Sequence, residues 1–234
     1  MFESKSGVFL IAGLGFFALA FVSNGLVPWL MYAHMGEATV EETIEAQVDY
    51  VNNQIPPTRN EHIMHLFADL SKRYPDTFSK YYGEPTLENC AEALRLGRKI
   101  YIGEGCWHCH SQFVRPVSNE EQRWGPVSRS KEYQNELQRP VMFGTRRVGP
   151  DLIREGGTRS NDWHVVHFYR PRLTSPRSVM PEYPWFFDGN TAKGPGSPNR
   201  RGIAIITYMQ WLGSWLDNYP HYHDRPIAQE KRGP

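Results

Sequence analysis

The sequence predicts an all-α domain carried on a single N-terminal transmembrane helix. Three observations predict it. From Gly7 to Ala33 only Ser23, Asn24 and Pro28 interrupt a run of apolar or small residues. Beyond that run, segments of helical period alternate with loops that hold most of the chain's 18 prolines. Between two of those segments stands Cys106-Trp107-His108-Cys109-His110, whose thiols and imidazole are cofactor-binding groups.

The apolar run exceeds the roughly 20 residues that cross a hydrocarbon core. A cleaved signal peptide ending at Ala18-Leu19-Ala20 is the rival reading. It fits less well, because apolar residues continue through Leu26-Val27-Pro28-Trp29-Leu30-Met31. Lys5 precedes the span, and no Lys or Arg follows it until Arg59. The excess of basic residues on the cytoplasmic side therefore puts the N-terminus in the cytoplasm and the rest outside. Phe9, Phe16, Phe17 and Trp29 of the span are free to face lipid or a partner helix.

Four segments follow: an anchor over 1–34, a helical linker over 35–85, a cofactor domain over 86–218 and a tail over 219–234. Thr39-Val40-Glu41-Glu42 reads as a capping box. Val40, Ile44, Val48 and Val51 then share one helical face until Pro56-Pro57. A second helix is expected from Asn60, presenting Met64, Phe67, Leu70 and Tyr74. Both read as helices packed on a neighbour rather than as sites of chemistry. Thr86 caps a third helix with Ala91, Leu94, Arg98 and Tyr101 on its packed face, ending near Gly103-Glu104-Gly105. Short helices are expected over Asn161–Tyr169 and Ile203–Leu216, with loop between Pro171 and Arg200.

Lys+Arg 26 against Asp+Glu 25 nearly cancel, which argues against a general nucleic-acid surface. Three cysteines are too few for a disulfide framework, and Cys90 has no derivable role.

Cys-x-x-Cys-His is a haem attachment motif for stereochemical reasons. Thiols three residues apart at a helix start can add to the two vinyl groups on one porphyrin edge, and the adjacent His110 then faces the iron. A zinc site needs a second Cys or His pair at suitable spacing, which is missing. A thioredoxin-like pair needs a preceding strand, where the pattern is helical. The expectation is one covalent haem c on Cys106 and Cys109, with His110 as iron ligand. A methionine thioether suits the sixth position of an electron-transfer haem. Met142 comes too early and Met209 sits inside the last helix, which leaves Met180 in its proline-rich loop. His164 or His167 could substitute. His221 and His223 read as solvated tail residues. Arg139, Arg146, Arg147 and Arg159 either steer a partner or reach haem propionates and partner carboxylates.

Longer strings carry a resemblance. Gly97-Arg98-Lys99-Ile100-Tyr101 and Glu104 through Pro116 closely resemble subunit II of cbb3-type cytochrome c oxidases. So do Gly144 through Leu152, Asp162-Trp163-His164-Val165-Val166-His167 and Met180-Pro181-Glu182-Tyr183-Pro184-Trp185. The resemblance implies a class I cytochrome c fold on one transmembrane helix. It implies that Cys106 and Cys109 are the thioether cysteines, His110 the proximal ligand and Met180 the distal one. Pro150 then matches the proline whose carbonyl holds the proximal imidazole.

The implied role is electron transfer, with no catalytic residue in this chain. Single electrons pass from a further cytochrome c subunit or a soluble cytochrome c to the b-type haems of a catalytic haem–copper oxidase subunit, which reduces oxygen to water. The implied location is a bacterial cytoplasmic membrane, haem domain outside, with no nucleic-acid partner. Two alternatives are the cytochrome subunit of a nitric oxide reductase and a free-standing membrane-tethered shuttle. A gas sensor would need a weakly ligated iron. Arg115, a few residues beyond His110, is expected to pair with a haem propionate or with a carboxylate on the catalytic subunit. The stretch from Glu37 to Pro85 is longer than this family's usual connection.

Overall fold

The computed structural model describes residues 3–34, 36–53, 63–189 and 194–213. The side chains of Val48 and Val51, the Pro56-Pro57 break, the helix start at Asn60, and the tail with His221 and His223 all lie outside the described residues, whereas the last helix ends at Trp211, short of the expected Leu216, as Leu212 leaves the helical conformation and Gly213 takes a left-handed φ. The chain divides into two compact units, Met1–Glu37 and Ala38–Pro234.

The first unit is one long rod. Helix α1 (Glu3–Phe21) runs through a π turn at Val22–Leu26 into α2 (Val27–Tyr32). The wide turn has a local cause: Pro28 has no N–H to give the carbonyl four residues back, and the ladder widens just ahead of it. Asn24 folds its amide back onto the Ala20 carbonyl at 3.1 Å. The apolar stretch Lys5–Tyr32 has 28 residues, about 42 Å of helix at about 1.5 Å per residue. That is enough to cross a membrane with tilt. Phe9, Phe16, Phe17 and Trp29 are all exposed along it.

The second unit is built from helices α3 (Val40–Asn53), α4 (Ile63–Arg73), α5 (Pro75–Tyr82), α6 (Leu87–Gly103), α7 (Cys106–Cys109), α8 (Glu120–Trp124), α9 (Asn161–Tyr169), α10 (Pro171–Thr174) and α11 (Arg200–Trp211). A two-stranded antiparallel ribbon, β1 (Phe187–Asp188) with β2 (Ser197–Pro198), interrupts the expected 171–200 loop, pairing Phe187 with Pro198 and Asp188 with Ser197. The expected capping box starts α3: Glu42 N–H donates to Thr39 Oγ1 at 3.2 Å, and Thr39 N–H donates to the Glu42 carboxylate at 2.8 Å. Thr86 caps α6 through the Asn89 N–H at 3.2 Å. Ser160 caps α9 by accepting from Trp163 N–H at 3.2 Å.

The core centres on the crossing of α6 and α11. On α6 the buried face carries Cys90, Ala91, Leu94, Arg98 and Tyr101, while every residue of α11 from Gly202 to Trp211 is buried. Gly97 marks the closest approach, since a Cβ there would lie 2.6 Å from the Cβ of Tyr208. Arg98 is buried with its charge satisfied, donating to Tyr208 Oη at 3.1 Å and to the Pro140 carbonyl at 2.8 Å.

Helices α3 to α5, which the sequence suggests belong to a separate linker over 35–85, share the core of the second unit. Val40, Ile44, Ile63, Phe67, Leu70, Phe78 and Tyr82 join the same hydrophobic core as Leu94 and Ile203. Arg95 of α6 grips Glu41 of α3 through two bonds of 2.8 Å and Glu136 at 2.9 Å. Helical periodicity shows that a face is apolar but not which surface covers it, and here the cover is the domain's own pair of long helices.

Candidate haem site

The cysteine motif forms a single helical turn at the end of α6. Gly105 turns the chain with φ +70°, a left-handed value that favours glycine. Helix α7 then carries Cys106 and Cys109, the first half-buried and the second exposed. Burial, with the neighbouring Glu104 carboxylate, pushes the Cys106 thiol up to about 12, so it stays protonated near neutrality.

His110 is fixed from several directions. Its N–H bonds the Cys106 carbonyl at 2.9 Å, and its own carbonyl accepts from Tyr101 Oη at 3.1 Å. The ring Nδ1 lies 2.9 Å from the Pro150 carbonyl. That bond makes Nδ1 the protonated nitrogen and leaves Nε2 with its lone pair free. Burial lowers the His110 pKa, opposed by the Pro150 hydrogen bond, which favours the neutral imidazole that metal ligation needs. Gly149 is the cradle: a Cβ there would come within 2.6 Å of Nδ1 and 2.7 Å of Nε2.

The loops around His110 are tied together by residues far apart in sequence. Gly149 N–H bonds Cys109 O at 3.0 Å, Arg146 N–H bonds His108 O at 3.0 Å, Leu152 N–H bonds Ser111 O at 2.8 Å and Gln112 N–H bonds Met142 O at 2.7 Å. Asp151 is the hub. Its buried carboxylate accepts from Ser111 Oγ, from Phe113 N–H at 2.9 Å, from Ile153 N–H at 2.9 Å and from Arg147 Nη2 at 3.2 Å. Arg147 also pairs with Glu120 and donates to Ser111 Oγ at 2.6 Å. Sequence reasoning passed over Asp151, although it directly follows Pro150. The only signal was a carboxylate inside an otherwise apolar tripeptide.

Met180 lies in the loop after α10. Half-buried, it packs against the same core as Cys106 and Trp107, and its N–H bonds Ser178 Oγ at 3.1 Å. Met142 and Met209 are buried in the core. Of the histidines on α9, His167 bonds Thr174 Oγ1 at 2.6 Å and stacks on Trp163, while His164 is buried with no hydrogen bond to Nε2. The arginine group disperses. Arg147 belongs to the Asp151 hub, Arg139 bonds the Tyr133 carbonyl at 3.0 Å, and Arg159 stacks over Trp163. The Arg115 guanidinium bonds the Phe143 carbonyl at 2.8 Å, so part of its donor capacity goes to the chain's own backbone.

Residues 90–195, which contain the cysteine motif, the Asp151 hub and Met180, match the family described as cytochrome c oxidase, mono-haem subunit/FixO. Over that stretch, somewhat less than half of the chain, the protein is similar to this family. No curated protein matches it. A mono-haem subunit of that kind needs one haem pocket, and the residues present here fit one. A neutral imidazole is aimed by a backbone carbonyl, a glycine clears room beside its ring, and two thiols stand on the adjoining turn. Among the described residues no cluster of three or more His, Cys, Asp or Glu could hold a separate metal ion.

Proposed function

We propose that this subunit carries one covalent haem c and relays single electrons from a donor cytochrome to the catalytic haem–copper subunit of a cbb3-type oxidase. The observation that carries the reading is the His110 Nδ1–Pro150 carbonyl bond of 2.9 Å beside the two motif cysteines. When bound, the haem supplies one-electron chemistry at iron. Cys106 and Cys109 would form the thioethers to the haem, and His110 Nε2 and Met180 would hold its iron. Pro150 keeps the imidazole oriented and raises its basicity. Asp151, through its four bonds, holds the proline loop against the motif. The helix Lys5–Tyr32 anchors the domain with the N-terminus in the cytoplasm. Helices α3 to α5 belong to the haem domain in this reading.

Purification in mild detergent tests the assignment. The chain should bring a copper- and haem b-containing subunit with it and carry haem that survives a denaturing gel. Replacing Cys106 and Cys109 together by Ala should abolish that gel-stable haem. Full stoichiometric covalent haem in the double variant refutes the attachment. A haem-loaded chain that purifies alone favours the free-standing shuttle.

A further inference from the structure

Five residues beyond Pro150 the same loop reaches Glu155, whose side chain is only 16% exposed. A turn closes just before it, with Glu155 N–H bonded to the Leu152 carbonyl at 3.0 Å. Its carboxylate lies 3.9 Å from Nε2 of His164, a ring that is 3% exposed and has no hydrogen bond to that nitrogen. The surroundings are rigid: Gly157 N–H bonds Gln210 Oε1 at 3.0 Å, and Gln210 Nε2 bonds Arg159 O at 2.9 Å and Asn161 Oδ1 at 3.0 Å. A mostly buried carboxyl beside an unpartnered buried imidazole is costly in its charged form, so the site favours a bound proton.

This pair is tied to His110 along two routes. Glu155 follows the Pro150 carbonyl by five residues, at most about 18 Å of chain even if extended. His164 stands one helical turn before His167, and His167 lies within electrostatic reach of a positive charge placed at the His110 ring. A positive charge gained at the iron would therefore be felt at both groups, with little screening inside the domain.

We propose that Glu155, set against His164, is a proton-binding site whose occupancy follows the redox state of the haem held at His110. The inference rests on the haem reading above. On oxidation one electron leaves for the acceptor haem of the complex, and the Glu155 carboxyl releases its proton to solvent through its exposed edge. On reduction the carboxylate takes a proton back as the electron arrives. Charge inside the domain is thereby conserved through the turnover. The other groups acting on the carboxyl are Thr158 and Arg159, and His167 and Arg159 act on His164. Burial raises the Glu155 pKa to about 7, opposed by Thr158 and Arg159. Burial, helped by His167 and Arg159, lowers that of His164 to about 3. The carboxyl, not the imidazole, is then the group that titrates near neutrality.

The test is a potentiometric titration of the full-length, haem-loaded chain at a series of pH values on both sides of about 7. The parent potential should fall as pH rises. The limit is a tenfold change in the equilibrium constant per pH unit, about 59 mV for a one-electron couple. Glu155→Gln should flatten that dependence, and a carboxylic-acid infrared band should vanish from its reduced-minus-oxidised difference spectrum. His164→Gln should move the midpoint, since it changes the group facing the carboxyl. A parent that carries no haem overturns both the proposed function and this inference. A haem-loaded parent with a pH-independent potential overturns the inference alone. So does a slope or infrared band that Glu155→Gln leaves unchanged, which would assign the proton to a haem propionate. If the glutamine variant does not take up haem, an unmoved midpoint in His164→Gln overturns the proposal by itself.

Discussion

Gly149→Ala is the sharpest test of the His110 geometry. The Gly149 backbone cannot simply retreat, because its N–H is bonded to Cys109 O at 3.0 Å and the next carbonyl, that of Pro150, holds His110 Nδ1 at 2.9 Å. A methyl group at this position would lie 2.6 Å from Nδ1 and 2.7 Å from Nε2. Ordinary contact between non-bonded atoms is about 3.5–4.0 Å, so ring and methyl must separate by about 1 Å or more. A ring displaced that far loses the Pro150 hydrogen bond, or Nε2 no longer points where His110 held it. Loss of such orienting partners costs about 10- to 100-fold in metal affinity or activity, about 1.4–2.7 kcal/mol. The assays are haem stoichiometry, the visible spectrum and the midpoint potential, with Gly103→Ala as control because a Cβ there meets nothing within 4 Å. The variant should show reduced haem loading or a partly high-spin spectrum, and a shifted potential, while the control behaves as the parent. Identical spectra and potentials for both variants would refute the claim that Gly149 is the cradle of the ligand.

Met180→Leu should abolish the near-infrared sulfur–iron band and lower the potential while changing stability by less than about 1.5 kcal/mol; an unchanged sulfur–iron band moves the ligand to another thioether, Met142, while a parent that lacks the band moves it to His164 or His167. Arg154→Met leaves the buried Glu132 carboxylate without the 2.7 Å and 3.0 Å bonds it now receives. Thermal unfolding should register a loss of about 3–5 kcal/mol, and a loss below about 1 kcal/mol would show that water or Arg129 compensates. Burial raises Glu155 to about 7, so the folded state binds its proton more tightly than the unfolded chain does. That contribution is fully present below the ordinary carboxylate range, is lost as pH rises through about 7, and amounts to at most about 3 kcal/mol. Glu155→Gln should therefore gain stability relative to the parent as pH rises, and parallel pH–stability curves would contradict it.

What the sequence reveals here depends on how local the controlling physics is. The start of α6 follows from Thr86 and the 91/94/98/101 spacing, and α9 takes its expected bounds Asn161–Tyr169 because Ser160 caps one end and Pro171 stops the other. The capping box at Thr39 likewise needs only four residues. The ribbon at Phe187–Asp188 and Ser197–Pro198 is too short to show a period of two. The packing of α3 to α5 on the core was hidden for a different reason: an amphipathic pattern is silent about its partner. The Cys-x-x-Cys-His motif can be read within five residues, whereas the Asp151 hub joins positions up to about forty residues apart, beyond any spacing rule.

That contrast bears on what the conspicuous string after the motif does. Ser111 donates to Asp151, Gln112 accepts from Tyr208 Oη at 3.0 Å through its side chain and from Tyr133 Oη at 2.8 Å through its carbonyl, and Val114 is fully buried. Arg115 spends a donor on the Phe143 carbonyl and its N–H on Glu120. Each of these residues binds the cysteine turn to a loop or helix that arrives later in the chain. The imidazole of His110 is aimed by Pro150, Pro150 is held by Asp151, and Asp151 is held by Ser111, next to His110 itself. The circuit closes on the ligand, so an error anywhere in it is felt at Nε2. A string that looks like a recognition surface in one dimension is, in three, the frame that holds the His110 imidazole in one fixed geometry.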